Sequence, residues 1–487
     1  MFKNINCKNL PSLRRNIVYQ FLYELLIVFI PLFTIPYVSR VLGAENIGLF
    51  SYTYAVANYF VLFANLGIKN YGSRTIAMVR NNKEELNRNF SEILSIHIIF
   101  SIIVIFVYLV LLFFFVEDNL VIFLIQSIYV FAAVFDINWF FFGIEKFKLT
   151  VGRNTLVKIL SVFLVLVFVK TQTDLWIYAL ILALSVFVGQ SVVWFALKQY
   201  VSWRRPSWAN MKQHIRPLFV LFLPILALSL YKYMDKIMLG SISSNVQVGF
   251  YENAEKIINV PMSLIMAFGV VLMPRIANMV TSKDKGEVFK LIDMSMEAVM
   301  LLAIAISFGL AGISFVLAPI FFGYEFEECG ILIMGLAVTV PFMAFANVIR
   351  TQYLIPYKED KIFVVSLFLG AAVNLIVNII LIPYMAAIGA VIGTIFAEII
   401  VCIYQSYFVR KKIFIKKYLL NTIPPILIGI VMFVFVFQIG NVMNINIVTL
   451  ILQLLVGMFI YAVGVFLLML KSRTRLMVLL RKFVVRY

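Results

Sequence analysis

The stretch ALSLYKYMDKIMLG, residues 227–240, places three charged side chains inside an apolar segment. They are Lys232, Asp235 and Lys236. An ionised side chain at mid-bilayer costs roughly 2.5–3.5 kcal/mol on insertion scales, so such residues usually face a water-filled cavity or an opposite charge. Ammonium groups there bind anions, and a carboxylate takes up a proton or a small cation. The segment is therefore a candidate site for a charged ligand or an ion within a membrane.

The composition of the chain predicts an all-α polytopic membrane protein. Of the 487 residues, 63% are hydrophobic and only 13% are charged, which lies far from the range of a soluble domain. Apolar runs of about 17–25 residues recur along the chain, and we count about fourteen that are long enough to cross a bilayer as helices. The sequence has no Walker motif, nucleophile elbow or metal-ligand cluster, and His97 and His214 are isolated. We therefore expect no enzyme activity, no metal and no cofactor.

The distribution of basic residues predicts the orientation in the membrane. Most of the 41 Lys and Arg residues fall in the N-terminal tail and in the loops on one side, against only Arg40 and Lys170 on the other. The positive-inside rule then puts both termini in the cytoplasm. The net charge of +18 needs no nucleic acid as a partner, because basic stretches such as RKKIFIKKY (410–418) can rest on anionic lipid headgroups.

A weak internal repeat predicts the domain organisation. SRVLGAENIGLFSYTYA (39–55) and DKIMLGSISSNVQVGFYENAEK (235–256) both run from a basic residue through Leu-Gly and a short polar loop to a Gly near aromatic residues. Six spans separate the copies, so the halves are parallel repeats. We predict an N-lobe of helices one to six with its cytoplasmic linker (1–210), a C-lobe of helices seven to twelve (211–415), and two further helices with a basic tail (416–487).

Four motifs give the chain a specific resemblance. They are PYVSRVLGAENIGLFSYTYAVANYF (36–60), LGIKNYGSRTIAMVR (66–80), DINWFFFGIEKFKLTVGRN (136–154) and RTQYLIPYKEDK (350–361). The chain resembles the polysaccharide transporter family, the Wzx-type flippases, whose superfamily also contains the MATE drug exporters and the lipid II flippases. The resemblance covers nearly the whole chain. It implies a two-lobed, fourteen-helix flippase that moves undecaprenyl-pyrophosphate-linked oligosaccharide across the bacterial cytoplasmic membrane for a capsule, an O-antigen or another surface polysaccharide.

With a pyrophosphate substrate implied, the charges within and beside the spans divide into two groups. The basic residues are the candidate substrate-binding residues: Arg40, Lys232, Lys236, Lys256 and Arg350. The acidic residues are the candidate ion-coupling or gate residues, with H⁺ or Na⁺ as the ion: Glu24, Asp235, Glu252, Glu255 and Glu398. Three interpretations of the cluster around Lys236 remain open. Its cations bind phosphate, the cluster is a salt-bridge clasp that never touches substrate, or the charges lie at the headgroup interface just beyond the span.

Two other classes of function compete with a flippase. A MATE-like exporter of organic cations usually has twelve helices and an acidic cavity, whereas this chain has more predicted spans and several intramembrane lysines. A membrane polysaccharide polymerase or ligase usually carries its catalytic residues on a long outer loop, and the predicted outer loops are short. We expect alternating access driven by an ion gradient or by the membrane potential, with the glycan-linked lipid, bilayer lipids and enzymes of the same pathway as partners.

Overall fold

The computed structural model describes residues 10–281 and 285–471, with side chains described from residue 30 onward except at 147, 148, 231, 281 and 285. Within these ranges the chain is helical and contains no β-strand. The described residues up to Tyr233 form one compact unit, and the described residues from Met234 form a second. The division lies inside a helix, whereas the predicted lobe boundary falls in the linker at residue 210.

Short loops connect the helices of the first unit. They are α1 (Leu10–Asn65), α2 (Ile68–Val79), α3 (Lys83–Phe115), α4 (Leu120–Val134), α5 (Asn138–Gly143), α6 (Phe147–Phe168), α7 (Leu175–Leu197) and the first part of α8 (Trp208–Ile242).

The second unit begins within α8. Its remaining helices are α9 (Asn245–Thr281), α10 (Lys285–Phe322), α11 (Cys329–Ala337), α12 (Thr339–Ile349), α13 (Asp360–Val409), α14 (Ile415–Val442) and α15 (Ile447–Lys471), with a π-helical turn at Arg350–Leu354. The prolines at 31, 36 and 224 lie inside α1 and α8.

Twelve helical segments of the described ranges are long and apolar enough to span a membrane, and two of them are 50 residues long. A straight helix of that length would measure about 75 Å, more than twice the thickness of a bilayer core. The backbone of each contains a break. In the segment 30–79 the break is at Gly43, with φ 76°, inside α1 (Leu10–Asn65), and in the segment 360–409 it is near the middle at Ala386, with φ 46°. Each long segment therefore holds two spans, which accounts for the fourteen spans predicted from the sequence.

The contacts of α13 show that the chain reverses at Ala386. Asn378 Nδ2 and Thr394 Oγ1 lie on opposite sides of the break, and both donate to the carboxylate of Asp235, at 2.5 and 3.0 Å. In a straight helix these two residues would be separated by about 24 Å. The arms of the hairpin also pack closely, because a Cβ at Gly389 would lie 2.7 Å from the Leu381 carbonyl carbon.

The close approach of the two arms predicts a large effect for Gly389→Ala. The added methyl group would meet main-chain atoms that cannot move aside, so we expect a loss of about 1–3 kcal/mol in the free energy of unfolding. Gly152→Ala in α6 is the matched control, because a Cβ there has nothing within 4 Å. Thermal unfolding in detergent measures both, and equal melting temperatures for Gly389→Ala and the parent would contradict the close packing of this hairpin.

Candidate functional site

The three charged residues of the segment 227–240 lie in different environments on α8. Lys232 is exposed and belongs to the first unit, where its Nζ lies 5.3 Å from the centre of the Tyr233 ring. Asp235 and Lys236 belong to the second unit and are only 4% and 8% exposed. Successive residues of a helix point about 100° apart. Asp235 and Lys236 consequently contact different neighbours.

Lys236 lies in a network of ion pairs with α9. Its Nζ is 2.6 Å from Glu252 Oε2 and 2.9 Å from Glu255 Oε2, and Lys256 Nζ is 3.1 Å from Glu252 Oε1. The formal charges of these two lysines and two glutamates cancel. The side chains of Lys236 and Glu252 are 10% and 15% exposed, against 26% for Glu255 and 32% for Lys256. The more exposed members are therefore the ones that a ligand can reach without breaking the buried pair.

Asp235 points away from these cations and into a pocket of neutral polar groups. Its Oδ2 accepts from Tyr251 OH at 2.7 Å and from Thr394 Oγ1 at 3.0 Å, and its Oδ1 accepts from Asn378 Nδ2. Asn374 adds a further amide, whose Oδ1 accepts from Asn378 Nδ2. Among the described residues no basic side chain pairs with Asp235. This carboxylate and the surrounding oxygens form a candidate site for a proton or a small cation.

Arg350 lies at the start of the π-helical turn in the second unit. Its Nη2 donates to Asn347 Oδ1 at 2.7 Å, and its guanidinium carbon lies 5.4 Å from the centre of the Phe363 ring. Glu398, on the second arm of α13, is buried and attracts this guanidinium electrostatically. π-turns inside helices occur often at functional sites. The structure thus brings together Arg350 and Glu398, which were predicted separately.

The remaining predicted residues lie in the first unit or outside the described side chains. Arg40 is exposed on α1, three residues before the break at Gly43. Glu24 lies outside the residues whose side chains the structure describes. Arg40 and Lys232 are therefore described within the first unit, whereas Lys236 and Lys256 form their ion pairs within the second.

Sequence reasoning missed the neutral members of the Asp235 pocket. Asn374 and Asn378 lie one helical turn apart on an apolar span, and this spacing was the signal that the sequence offered. Both side chains are buried. His214, which has no metal-ligand pattern in the sequence, also has partners that were not predicted. His214 Nε2 is 2.9 Å from Glu92 Oε2, and Tyr71 OH is 2.6 Å from His214 Nδ1, although the three residues come from three different helices. Only the fold brings them together.

An apolar groove of about 940 Å³ opens in the second unit between α9, α10, α14 and α15. Two polar side chains of its lining bond to the main chain: Gln453 Nε2 donates to the Val436 carbonyl at 2.9 Å, and Tyr461 OH donates to the Leu301 carbonyl at 2.7 Å. The rest of the lining is almost wholly apolar. The groove therefore suits a hydrocarbon chain better than a polar ligand.

The chain is similar in sequence to two proteins described as putative O-antigen transporters. The chain is 24% identical over 408 residues to the putative O-antigen transporter of Shigella dysenteriae. The matched region covers 81% of this chain and 99% of that protein. It is 26% identical over 411 residues to the putative O-antigen transporter of Escherichia coli (strain K12), covering 83% and 98%.

The solved structure of lipid II flippase MurJ in an inward closed conformation has the same fold. It matches with a TM-score of 0.70 at 16% identity, and the match covers 92% of this chain and 97% of that one. Residues 13–280 match the family model described as polysaccharide biosynthesis protein. Since that match spans more than half of the chain, this multi-pass membrane protein belongs to the polysaccharide biosynthesis protein family.

Proposed function

We propose that this protein is a flippase that moves an undecaprenyl-pyrophosphate-linked oligosaccharide from the inner to the outer leaflet of a bacterial cytoplasmic membrane. The observation that carries the proposal is the presence, in one compact unit, of an apolar groove and of charged groups buried in membrane spans. A polyprenyl-linked glycan has the same two parts, a hydrocarbon tail and a charged headgroup. The relatedness of the chain to putative O-antigen transporters over 98–99% of their length supports the same function.

The chemistry of the headgroup explains the basic residues. Pyrophosphate is bound by charge-assisted hydrogen bonds, for which Arg supplies a planar fork and Lys a compact point charge. Within the second unit we assign this role to Lys256 and Arg350, with Lys236 holding the two glutamates that control the charge of the cluster. Arg40 and Lys232, which are exposed in the first unit, remain candidates for phosphate contacts of their own. In this arrangement Glu252 and Glu255 keep the cluster neutral without substrate, and a phosphate would compete with them for Lys256.

In this proposal the apolar groove gives a role to α14 and α15, the two helices that follow the two predicted lobes of six helices each. α14 and α15 form one wall of the groove and α10 forms another. A polyprenyl tail is as apolar as the lipid that it leaves, so it gains close packing there without a desolvation cost. The tail then remains at the membrane while the headgroup crosses.

Alternating access needs an energy source, and we place the coupling ion at Asp235. Moving one elementary charge across 100 mV is worth roughly 2.3 kcal/mol. Binding of H⁺ or Na⁺ at a carboxylate shifts the balance of conformations only if the two states bind the ion unequally. The Asp235 pocket meets this condition when Tyr251 on α9 moves away from Asn378 and Thr394 on α13 in one of the two conformations.

In this scheme both termini of the chain lie in the cytoplasm.

Exporters of small cations and glycan polymerases fit the molecule less well. The described ion pairs balance two lysines against two glutamates, so this cluster has no net negative charge to attract an organic cation. The loops between the described helices are short, which leaves little chain for the long catalytic loop of a polymerase or ligase. We therefore keep the flippase as the proposed function.

Transbilayer transfer tests the proposal directly. The purified chain is reconstituted in liposomes with a fluorescent polyprenyl-pyrophosphate oligosaccharide, and transfer is followed by quenching of the outer leaflet under imposed Na⁺ and H⁺ gradients and an imposed potential. We expect transfer that depends on protein and on at least one of these forces. A folded parent protein that transfers none of this lipid under any condition would rule out the proposed function.

Two tryptophan variants of α15 link the transfer to the groove. Ala462→Trp fills the groove, whereas Leu455→Trp lies on the same helix outside its lining. We expect Ala462→Trp to slow transfer about tenfold or more through loss of tail packing, and Leu455→Trp to match the parent. Equal transfer by both variants would mean that the tail does not use this groove.

A further inference from the structure

Aromatic side chains from three helices of the first unit meet in a cluster that the site described above does not use. The Tyr54 ring on α1 stacks on Phe50 with 5.6 Å between ring centres, and it packs edge to face with Tyr129 on α4 at 5.1 Å. Tyr178 on α7 packs edge to face with Phe50 at 4.9 Å. The Tyr129 hydroxyl interacts electrostatically with the hydroxyls of Tyr54 and Tyr178. Three hydroxyl groups therefore lie close to one another in this tyrosine cluster.

The depth of the cluster distinguishes it from the tyrosines that anchor spans at an interface. Tyr54 lies eleven residues after the break at Gly43, and Tyr129 lies nine residues after the start of α4. At about 1.5 Å per residue, these positions are about 16 and 14 Å from the end of each span. Both residues come near the middle of a bilayer core, which is about 30 Å thick. A hydroxyl at that depth needs a partner from the protein, from water in a cavity or from a ligand.

A buried glutamine beside the cluster leaves an acceptor unused. Gln126 lies three residues before Tyr129 on α4, and its Nε2 donates to Thr53 Oγ1 at 3.3 Å and to the Phe50 carbonyl at 3.5 Å. Because a carbonyl only accepts, Nε2 and not Oε1 must face α1. Gln126 is 0% exposed, and its Oε1 has no hydrogen-bond partner among the described residues. An unpaired acceptor at this burial costs free energy, which a hydroxyl group from a bound molecule would recover.

The Tyr129 hydroxyl is also unused by the fold. Tyr129 is 8% exposed, and no residue in the described part of the chain forms a hydrogen bond with its hydroxyl. Tyr108 on α3 shows the usual arrangement for a buried tyrosine, since its hydroxyl donates to the Phe123 carbonyl at 2.9 Å. The cluster thus offers a donor, the Tyr129 hydroxyl, and an acceptor, Gln126 Oε1.

The uncharged groups of the cluster match the chemistry of a sugar. A sugar ring carries hydroxyl groups around its edge and C–H groups on its faces, so hydroxyl and amide groups beside aromatic rings complement it. Tyrosine supplies both parts in one rigid side chain. Phe50, Tyr54 and Tyr178 are half-buried, so part of the cluster is open at the surface of the unit. A pyrophosphate, in contrast, needs cations.

We propose that the tyrosine cluster is a glycan-binding subsite. The Tyr129 hydroxyl and Gln126 Oε1 bond to sugar hydroxyls, and the three neighbouring aromatic rings hold the sugar faces. This assignment rests on the proposed function and gives the sugar part of the substrate contacts of its own, separate from the phosphate-binding residues. None of these side chains was among the site residues predicted from the sequence.

Equilibrium binding of two lipids tests the assignment without requiring transfer. The full-length protein in nanodiscs of zwitterionic lipid is titrated with undecaprenyl diphosphate and with the undecaprenyl-diphosphate-linked oligosaccharide extracted from cells that make this protein. We expect the parent to bind the glycan-bearing lipid more tightly. Tyr129→Phe should weaken binding of the glycan-bearing lipid about three- to tenfold, the loss of one hydrogen bond. Its Kd for undecaprenyl diphosphate should equal that of the parent.

Two further variants make the comparison specific. Gln126→Leu should reduce the preference for the glycan-bearing lipid in the same way, since it removes the unused acceptor. Tyr108→Phe is the matched control, because it makes the same chemical change in the same unit at a hydroxyl that is already bonded within the fold. It should keep the preference of the parent. If Gln126→Leu fails to fold, the comparison between Tyr129→Phe and Tyr108→Phe decides.

The outcomes separate this inference from the proposed function. A Tyr129→Phe protein with the same preference as the parent overturns the subsite, because the hydroxyl then meets water only. A parent that binds the two lipids equally overturns it as well. Either result leaves the proposed function intact if the parent transfers lipid-linked glycan. A folded parent that binds neither lipid and transfers none contradicts the proposed function, and the subsite with it.

Discussion

Replacing Lys236 with methionine is expected to lower the free energy of unfolding by about 3–5 kcal/mol. The change removes the cation that pairs with Glu252 at 2.6 Å and Glu255 at 2.9 Å. Of the described ion pairs of these two carboxylates, only the one between Lys256 and Glu252 then remains. Lys232→Met is the stability control on the same helix, because the Lys232 side chain is exposed and an exposed charge contributes roughly 0–1 kcal/mol.

Thermal unfolding in detergent, followed for the single and paired changes, measures this effect. Lys236→Met combined with Glu252→Gln should recover part of the loss, because the pair removes one of the uncompensated charges together with the cation. A Lys236→Met protein as stable as Lys232→Met would mean that the ion pairs contribute nothing. The clasp interpretation of the cluster would then lose its physical basis.

Changing Asp235 to asparagine is expected to remove the response of transport to the coupling ion. Asparagine keeps the size of the side chain but cannot take up a proton and binds Na⁺ weakly, so the pocket formed with Tyr251, Asn378 and Thr394 loses its charge. Coupling between two sites is typically worth 1–3 kcal/mol, so we expect the stimulation by a gradient to fall roughly 5- to 150-fold. Transfer without a gradient should change less.

The measurement compares transfer in liposomes with and without each gradient. Asp293→Asn is the matched control in the same unit, because Asp293 also lies in a span and accepts from Lys417 Nζ at 2.7 Å, yet it lies outside the Asp235 pocket. We expect it to respond to gradients as the parent does. An unchanged gradient response in Asp235→Asn would exclude Asp235 as the coupling residue and leave Glu398 as the next carboxylate to test.

The spans were predictable because each one is a local property of the sequence. About twenty apolar residues cross a bilayer core wherever they occur, so about fourteen spans could be counted from the sequence alone. The motifs at 36–60 and 136–154 were likewise readable without a structure. The sequence also located the charges on α8, since an ionised residue among apolar ones stands out by type alone.

The partners of those charges were not predictable in the same way. Asp235 and Lys236 are adjacent in the chain, yet one turns to neutral groups on α9 and α13 and the other to carboxylates on α9. Which neighbour each one meets depends on the rotation of α8 and on a hairpin more than a hundred residues away. Neutral amides such as Asn378 carry no charge to mark them, and in membrane spans they commonly serve interhelical hydrogen bonding.

The sequence by itself determined that this is a membrane protein with about fourteen spans and which ionisable residues lie among apolar ones. Those properties follow from the local cost of placing backbone and charge in hydrocarbon. Only the tertiary structure decided that Lys236 is paired, that Asp235 faces oxygen and amide groups, and that His214 meets Glu92 and Tyr71. Hydrogen bonds and ion pairs act over about 3 Å, so they depend on which helices the fold brings together.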